Sequence, residues 1–367
     1  MIPTKRFLYL SVFLTLALLT ACEPLAPEQS PQVIVVTGET PLAAASTPTR
    51  PIWGPASPAP EESPAGGVIP AAGDPLATEE SAPVEDAAPS PTSPPTITPT
   101  PDPFGCGETT GRVIEASFIS EVTGGAVPYL MYQPPCFYET AQRYPYVILL
   151  HGTGYDETMW QQLDVQAVMD QGIDKGTLPP MALIMPDGGS VAELNDQPDG
   201  QSYETVIVDE LIPAVEQDFC LWGSREGRAI GGISRGGFWA FSIALRHADL
   251  FSVLGGHSPH FDEENALPDS NPLDLAASAN LDKRPVRIYL DHSAEDYVAT
   301  NAQRMSELLT GQGIDHQYVV NATGEHDMDY WRTHVTEYLT FYGQAWPLEV
   351  GALPSCLEPS PTTRPAS

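Results

Sequence analysis

Between residues 144 and 343 the chain alternates short, almost wholly apolar runs with stretches of helical periodicity. That alternation confines it to one class of architecture. The apolar runs are 146–150, 182–185, 228–233, 252–256, 286–290 and 317–320; helical patterns lie near 158–171, 203–219, 237–248, 298–312 and 329–343. The runs show no apolar/polar alternation, which suits parallel strands buried on both faces rather than strands with one wet face. Strand and helix in turn predict a doubly wound, mostly parallel α/β sheet. Ahead of it, residues 113–119 and 127–133 read as two strands joined through Gly124-Gly125, an antiparallel entry hairpin. In a sheet of this kind functional groups collect in loops at the carboxyl ends of the strands.

The flanks of this domain are of a different material. The chain has 367 residues and 39 prolines, and 20 of those prolines fall in residues 23–103 with one aromatic, Trp53, and one basic residue, Arg50. Such a stretch lacks the apolar area to offset its ordering entropy, so 22–103 is expected to be a disordered, Pro-rich linker. As a flexible coil it would reach on the order of 50 Å. Residues 357–367 have the same composition and are expected to be a loose tail, leaving 104–356 as the folded domain. Lys plus Arg number 16 and Asp plus Glu 48, a net charge of −32. A phosphate backbone would be repelled by that balance, so no nucleic-acid partner is expected.

Lys5 and Arg6 precede an uncharged, mainly apolar run from Phe7 to Leu19. Thirteen residues are too few to cross ~30 Å of hydrocarbon, which takes about 20. The run fits the apolar core of a signal peptide over residues 1–21. It ends in Leu19-Thr20-Ala21-Cys22, a lipobox pattern in which Cys22 becomes the lipidated N-terminus. The expectation is an extracytoplasmic protein whose contact with a membrane is its N-terminal lipid alone.

Five cysteines are present. With Cys22 assigned to lipid, Cys106, Cys136, Cys220 and Cys356 remain, an even number suited to an oxidising compartment. The hairpin returns Cys136 toward the region after Cys106, which favours Cys106–Cys136 and leaves Cys220–Cys356. None has the spacing of a zinc site. No metal and no organic cofactor are expected.

The chemistry concentrates where the strands end. The run 228–233 passes into Gly232-Ile233-Ser234-Arg235-Gly236-Gly237, Gly-x-Ser-x-Gly between a strand and a helix. Such a turn presents the serine Oγ at a helix N-terminus, and small neighbours are required to let it pass between strand and helix. A serine hydroxyl needs a base, and in this architecture the order is serine, acid, histidine. His326, in Gly324-Glu325-His326-Asp327 between the last strand and last helix, holds the expected position of the base. His257 and His260 come too early, His316 opens a strand, and His334 lies within a helix. For the acid, Asp291, Glu295 and Asp296 compete in the loop after 286–290; Asp296 is chosen because it has room to turn back toward His326. The acids and histidines at 291, 292, 296, 326, 327 and 329 lack the spacing of a metalloprotease site. Strand 146–150 ends in His151-Gly152-Thr153-Gly154. An oxyanion hole needs two preset N–H donors, and the backbone amides of Thr153 and Arg235 are the candidates. Trp160, Trp239 and Trp331 are read as core packing rather than as a sugar platform.

These residues resemble a known family: the branch of the α/β-hydrolases that contains esterase D, feruloyl esterases, enterochelin esterase-like enzymes and mycolyltransferases. The stretches that carry the resemblance are residues 144–154 with Trp160 downstream, Met185-Pro-Asp-Gly188, Asp209-Glu-Leu-Ile-Pro213, 228–237, Gly256-His-Ser258 and 324–331. The resemblance implies an α/β-hydrolase fold with Ser234 as nucleophile, Asp296 as acid, His326 as base, and Thr153 and Arg235 as oxyanion donors. The expected activity is hydrolysis of a carboxylic ester, small or glycan-linked, of carbohydrate-acyl, feruloyl or siderophore type. The alternatives are transfer of the acyl group to a sugar hydroxyl, and a non-catalytic binding module on the same scaffold.

Overall fold

The computed structural model describes residues 32–36 (backbone only), 105–194, 201–261, 266–279, 281 and 283–358. Cys22, the signal-peptide segment and the greater part of the 22–103 stretch lie outside the described residues.

The expected hairpin is present as β2 (Arg112–Ser120) and β3 (Gly125–Gln133), paired antiparallel from Arg112↔Gln133 to Ser120↔Gly125. Next come β4 (Tyr146–Leu150), α1 (Met159–Gln162), α2 (Val165–Asp174), β5 (Ala182–Pro186) and the short α3 (Gly189–Ala192). The helical pattern at 203–219 is realised in three pieces: α4 (Tyr203–Thr205), a π-helical turn (Val206–Leu211) and α5 (Ile212–Asp218). Then follow β6 (Arg228–Ile233), α6 (Arg235–Arg246), β7 (Val253–His257), α7 (Pro272–Ser278), β8 (Arg287–Ser293), α8 (Ala299–Gly311), β9 (His316–Asn321) and α9 (Met328–Gly343).

With one more strand, β1 (Gln32–Val36), the sheet has nine strands in the order β1-β9-β8-β7-β6-β4-β5-β3-β2. Strands β4 to β9 are mutually parallel, while β2, β3 and β1 attach antiparallel at the two edges. β1 departs from the linker reading, because it sits inside 22–103. Its sequence, Gln-Val-Ile-Val-Val, is a β-branched apolar run in an otherwise Pro-rich stretch, and it covers the outer edge of β9, an edge that would otherwise present unpaired backbone groups.

Both faces of the sheet are buried. Along β4, Tyr146, Ile148 and Leu150 pack with α6, while Val147 and Leu149 pack on the opposite side with Met159, Leu163 and Tyr338. This is why the strands lack polar alternation. The strand order also locates the site. The chain steps from β4 outward to β5, then returns past β4 to begin β6, so the connections leaving β4 and β6 diverge. The crevice at their carboxyl ends is the topological switch point at which open α/β sheets bind ligands.

The expected disulfides, Cys106–Cys136 and Cys220–Cys356, both form. The first ties the segment before β2 to the end of the hairpin; the second ties the strand-like segment beside Tyr144 to the C-terminal end of the domain. Trp160, Trp239 and Trp331 are all buried, as core residues should be. Among the described residues, no helix is long and apolar enough to cross a membrane.

Candidate active site

Ser234 follows β6 directly and precedes α6, with φ +52° and ψ −113°. A non-glycine residue adopts that backbone only where the surroundings over-determine it. Its N–H donates to the His257 carbonyl (3.0 Å) and its carbonyl accepts from His260 N–H (3.0 Å), so both neighbours of the turn are clamped to the segment after β7. The two flanking glycines are steric necessities. A Cβ on Gly232 would lie 2.3 Å from the Gly236 carbonyl carbon, and one on Gly236 would lie 2.3 Å from the Leu150 carbonyl oxygen. Backbone cannot yield as a flexible side chain can, so the Gly-x-Ser-x-Gly spacing follows from strand, turn and helix occupying one small volume.

The Ser234 hydroxyl donates to His326 Nε2 at 2.9 Å, and His326 Nδ1–H donates to both Asp296 oxygens at 3.0 and 3.1 Å. Serine, imidazole and carboxylate, drawn from positions 234, 326 and 296, therefore form one continuous relay. The loop bearing Asp296 is fixed by its own backbone: Asp296 N–H donates to Ser293 O (3.2 Å), and Val298 N–H donates to Asp296 Oδ1 (2.9 Å). His326 is placed by the start of α9, where Asp327 caps the helix by accepting from the N–H groups of Asp329 and Tyr330.

Burial acts to raise the Asp296 carboxyl. The hydrogen bond from His326, the Ser258 hydroxyl beside it and the Val298 amide outweigh that effect and hold it below its ordinary value. The Asp296 carboxyl is thus favoured in its ionised form beside the imidazole. The His326 ring is packed between the edge of Trp331 (centroids 5.0 Å apart, 84°) and the ring of Tyr297 (4.6 Å, 52°).

Asp291, a rival for the acid, belongs to a different network. β8 runs three residues further than the sequence suggests, to Ser293, and keeps Asp291 within the sheet. There its carboxylate accepts from His257 Nδ1–H (2.9 Å), Tyr330 OH (2.7 Å) and Tyr338 OH (3.0 Å), while Tyr342 OH donates to His257 Nε2 (2.8 Å). Burial pushes the three tyrosine hydroxyls well up, so they remain neutral donors. Glu295 is exposed and accepts from Gly324 N–H at 3.2 Å. His316 and His334 serve their own elements, bonding to Ser306 and to the Tyr330 carbonyl.

Of the oxyanion candidates, Arg235 follows Ser234 directly, and Thr153 follows Gly152, whose Cβ, were there one, would lie 3.4 Å from Ser234 Cβ. Arg235 is the first residue of α6, and the first amides of a helix are not used by its i→i−4 ladder. In the loop after β4, Gly152 N–H is taken by Met159 Sδ (3.3 Å) and Gly154 N–H by Glu193 Oε1 (3.2 Å), with exposed Thr153 between them. His151 braces this loop. It accepts from Gly188 N–H at Nε2 (2.8 Å), which puts its proton on Nδ1, facing the Gly152 carbonyl (2.9 Å). The Arg235 side chain has a second task that the sequence did not announce. Its guanidinium donates to the carbonyls of Ala192 (2.8 Å) and Leu194, and Trp239 Nε1–H donates to the same Ala192 carbonyl (2.8 Å). The residue beside the serine thereby secures the α3 segment that flanks the crevice.

Residues 120–342 match the family described as Putative esterase. The chain belongs to that family. Among curated relatives of this esterase, an endo-1,4-beta-xylanase/feruloyl esterase of Xylanibacter ruminicola is 30% identical over 157 residues, covering 40% of this chain and 21% of the relative. Esterase Rv1288 of Mycobacterium tuberculosis is 30% identical over 129 residues, 34% of this chain and 27% of the relative. The chain thus spans about a quarter or less of the length of these two relatives. Among solved structures, a ferulic acid esterase superposes with a TM-score of 0.59 at 23% identity, covering 65% of this chain and 99% of that one. An S-formylglutathione hydrolase of Staphylococcus aureus superposes at 0.56 and 20% identity, covering 63% and 98%. The fold of this esterase is that of the α/β-hydrolases, and carboxylic-ester hydrolysis is the family's chemistry.

Proposed function

We propose that the protein is a lipid-anchored, extracytoplasmic serine esterase that cleaves carboxylic esters through an acyl-enzyme. The observation that carries this reading is the unbroken relay from Ser234 Oγ through His326 to Asp296, mounted on a strained turn. Ser234 Oγ attacks the ester carbonyl while His326 Nε2 takes its proton, and Asp296 stabilises the resulting imidazolium. The backbone amides of Thr153 and Arg235 receive the charge that develops on the carbonyl oxygen. His326 returns the proton to the departing alcohol. A water then repeats the sequence on the acyl-serine and releases the acid.

The feruloyl class is favoured by the names of similar proteins, and two disulfides in the domain suit a compartment outside the cytoplasm. A panel of acetyl, feruloyl, longer-acyl and siderophore esters is the direct test. Turnover of an acetyl or feruloyl ester at kcat/KM of about 10⁴ M⁻¹s⁻¹ or more is expected; failure on all four classes would remove the esterase reading. The anchor is tested separately. Labelled fatty acid should enter the full chain in a lipoprotein-processing host and fail to enter Cys22→Ala, and equal labelling of both would refute lipidation at that residue.

A further inference from the structure

The ester has two halves, and the site treats them differently. His326 Nε2 is the atom that hands a proton to the leaving oxygen, so the departing alcohol must lie within about 3 Å of it. Tyr297 packs against the ring of that base. Its ring centroid is 4.6 Å from the centroid of the His326 ring, and His260 packs edge-on to it at 6.2 Å. Yet 71% of Tyr297 is exposed, in contrast to Trp331 on the other side of the imidazole, which is 2% exposed. One aromatic neighbour of the base is core; the other offers its surface to solvent. An exposed ring this close to the imidazole is within reach of a ring borne by the departing alcohol.

The charge around Tyr297 narrows what that ring can be. Glu295 and Glu325 are exposed on the two loops that carry Asp296 and His326, and Asp329 is exposed in the first turn of α9. Residues 291–298 and 322–331 contain no lysine or arginine, and the neighbouring Arg332 is engaged by Asp164 and Asp329. An anionic alcohol or a thiol bearing carboxylates would meet like charge here. The C–H face of a neutral sugar meets none, and its polarised C–H bonds suit the negative face of an aromatic ring.

We propose that Tyr297 is the platform for the leaving alcohol and selects an uncharged sugar hydroxyl over a small alkyl alcohol or an anionic one. This rests on the esterase reading above and adds the identity of the alcohol. Tyr297 is a specificity-determining residue: it acts in acylation, when the alcohol is present, and not in deacylation, when water has replaced it.

The test holds the acyl group constant. Acetyl esters of ethanol, of a neutral pentose and of a uronate are compared with the full-length wild type, Tyr297→Ala and Tyr297→Phe. The pentose ester should exceed the ethyl ester in kcat/KM by about tenfold in wild type. Tyr297→Ala should erase that advantage by losing more on the pentose ester than on the ethyl ester, while Tyr297→Phe keeps it. The uronate should be the poorer ring, and should gain relative to the pentose as salt is raised. Equal losses on ethyl and pentose esters, or a slowed deacylation, would show that Tyr297 merely supports His326 and would overturn the proposal. So would a preference for the uronate. A wild type that is active on the ethyl ester but shows no Tyr297-dependent preference for the pentose ester defeats this inference alone. A wild type that hydrolyses none of the esters and takes no fluorophosphonate label defeats the esterase reading, and this inference falls with it.

Discussion

Ser234→Ala is expected to lower kcat by about 10⁶-fold and to abolish labelling by a fluorophosphonate probe, with the fold unchanged. The size of the loss follows from the relay. Once Oγ is gone, His326 has no proton to accept and no acyl-enzyme can form, so the only help left is binding and the oxyanion donors, worth about 10³–10⁴ over water. Stability should hold because alanine needs the same backbone. Serine and alanine bear the same Cβ and are equally strained at φ +52°, and the turn is fixed by contacts the substitution leaves alone: the amide and carbonyl bonds to His257 and His260 and the close approach of Gly232 to Gly236. Unfolding by urea should therefore shift by less than about 1 kcal/mol. A variant retaining a hundredth of the activity, or still labelled, would place the nucleophile elsewhere.

Local chemistry explains which parts were legible in the sequence. The parallel sheet could be read because burial on both faces leaves the strand interiors almost wholly apolar, and Ser234 could be read because its turn admits glycine alone at two flanking positions. His326 follows from the connection after the last parallel strand. The disulfide pairing came from the hairpin, which returns the chain beside its own start. What could not be read depends on partners distant in sequence. Nothing near Asp291 announces that His257, 34 residues earlier, and Tyr330 and Tyr338, 39 and 47 residues later, meet its carboxylate. Without them an aspartate after an apolar run looks like the end of a strand, which is why β8 was expected to stop short. β1 was missed because its five residues are strand-like only if an edge is available, and β9 supplies it from almost three hundred residues away. The single helical pattern at 203–219 hides a π-helical turn because a change of ladder from i→i−4 to i→i−5 leaves little trace in apolar spacing. Tyr297 was silent for the opposite reason: its significance lies in its exposure, and periodicity reports only burial.

The two aspartates five positions apart should separate cleanly under the same substitution. Asp296→Asn is expected to cost about 10⁴-fold in kcat. The asparagine amide cannot accept from His326 Nδ1–H as the carboxylate does, so the imidazole is driven toward the tautomer whose Nε2 carries hydrogen and faces Ser234 with a donor instead of an acceptor. The variant should also lose the stabilisation that comes with an ionised Asp296. Because the folded-state carboxyl is held below its ordinary value of 3.8, that stabilisation is fully present above about pH 3.8 and fades as pH falls through the depressed value. Wild type and Asp296→Asn should thus differ by a constant amount in urea unfolding from pH 5 to 8 and converge in stronger acid. Asp291→Asn should do the reverse. Its carboxylate accepts three hydrogen bonds in a fully buried site, and an amide offers one oxygen and turns a second donor toward the others, so at least one of His257, Tyr330 and Tyr338 is left without an acceptor. Breaking such a buried pair costs about 3–5 kcal/mol, while the relay at Ser234, His326 and Asp296 is untouched, so activity per folded molecule should stay within a few-fold of wild type. Measuring unfolding free energy and kcat on both variants decides the assignment. If Asp291→Asn destroys catalysis in a stable protein and Asp296→Asn merely loosens the fold, the acid of the triad is Asp291.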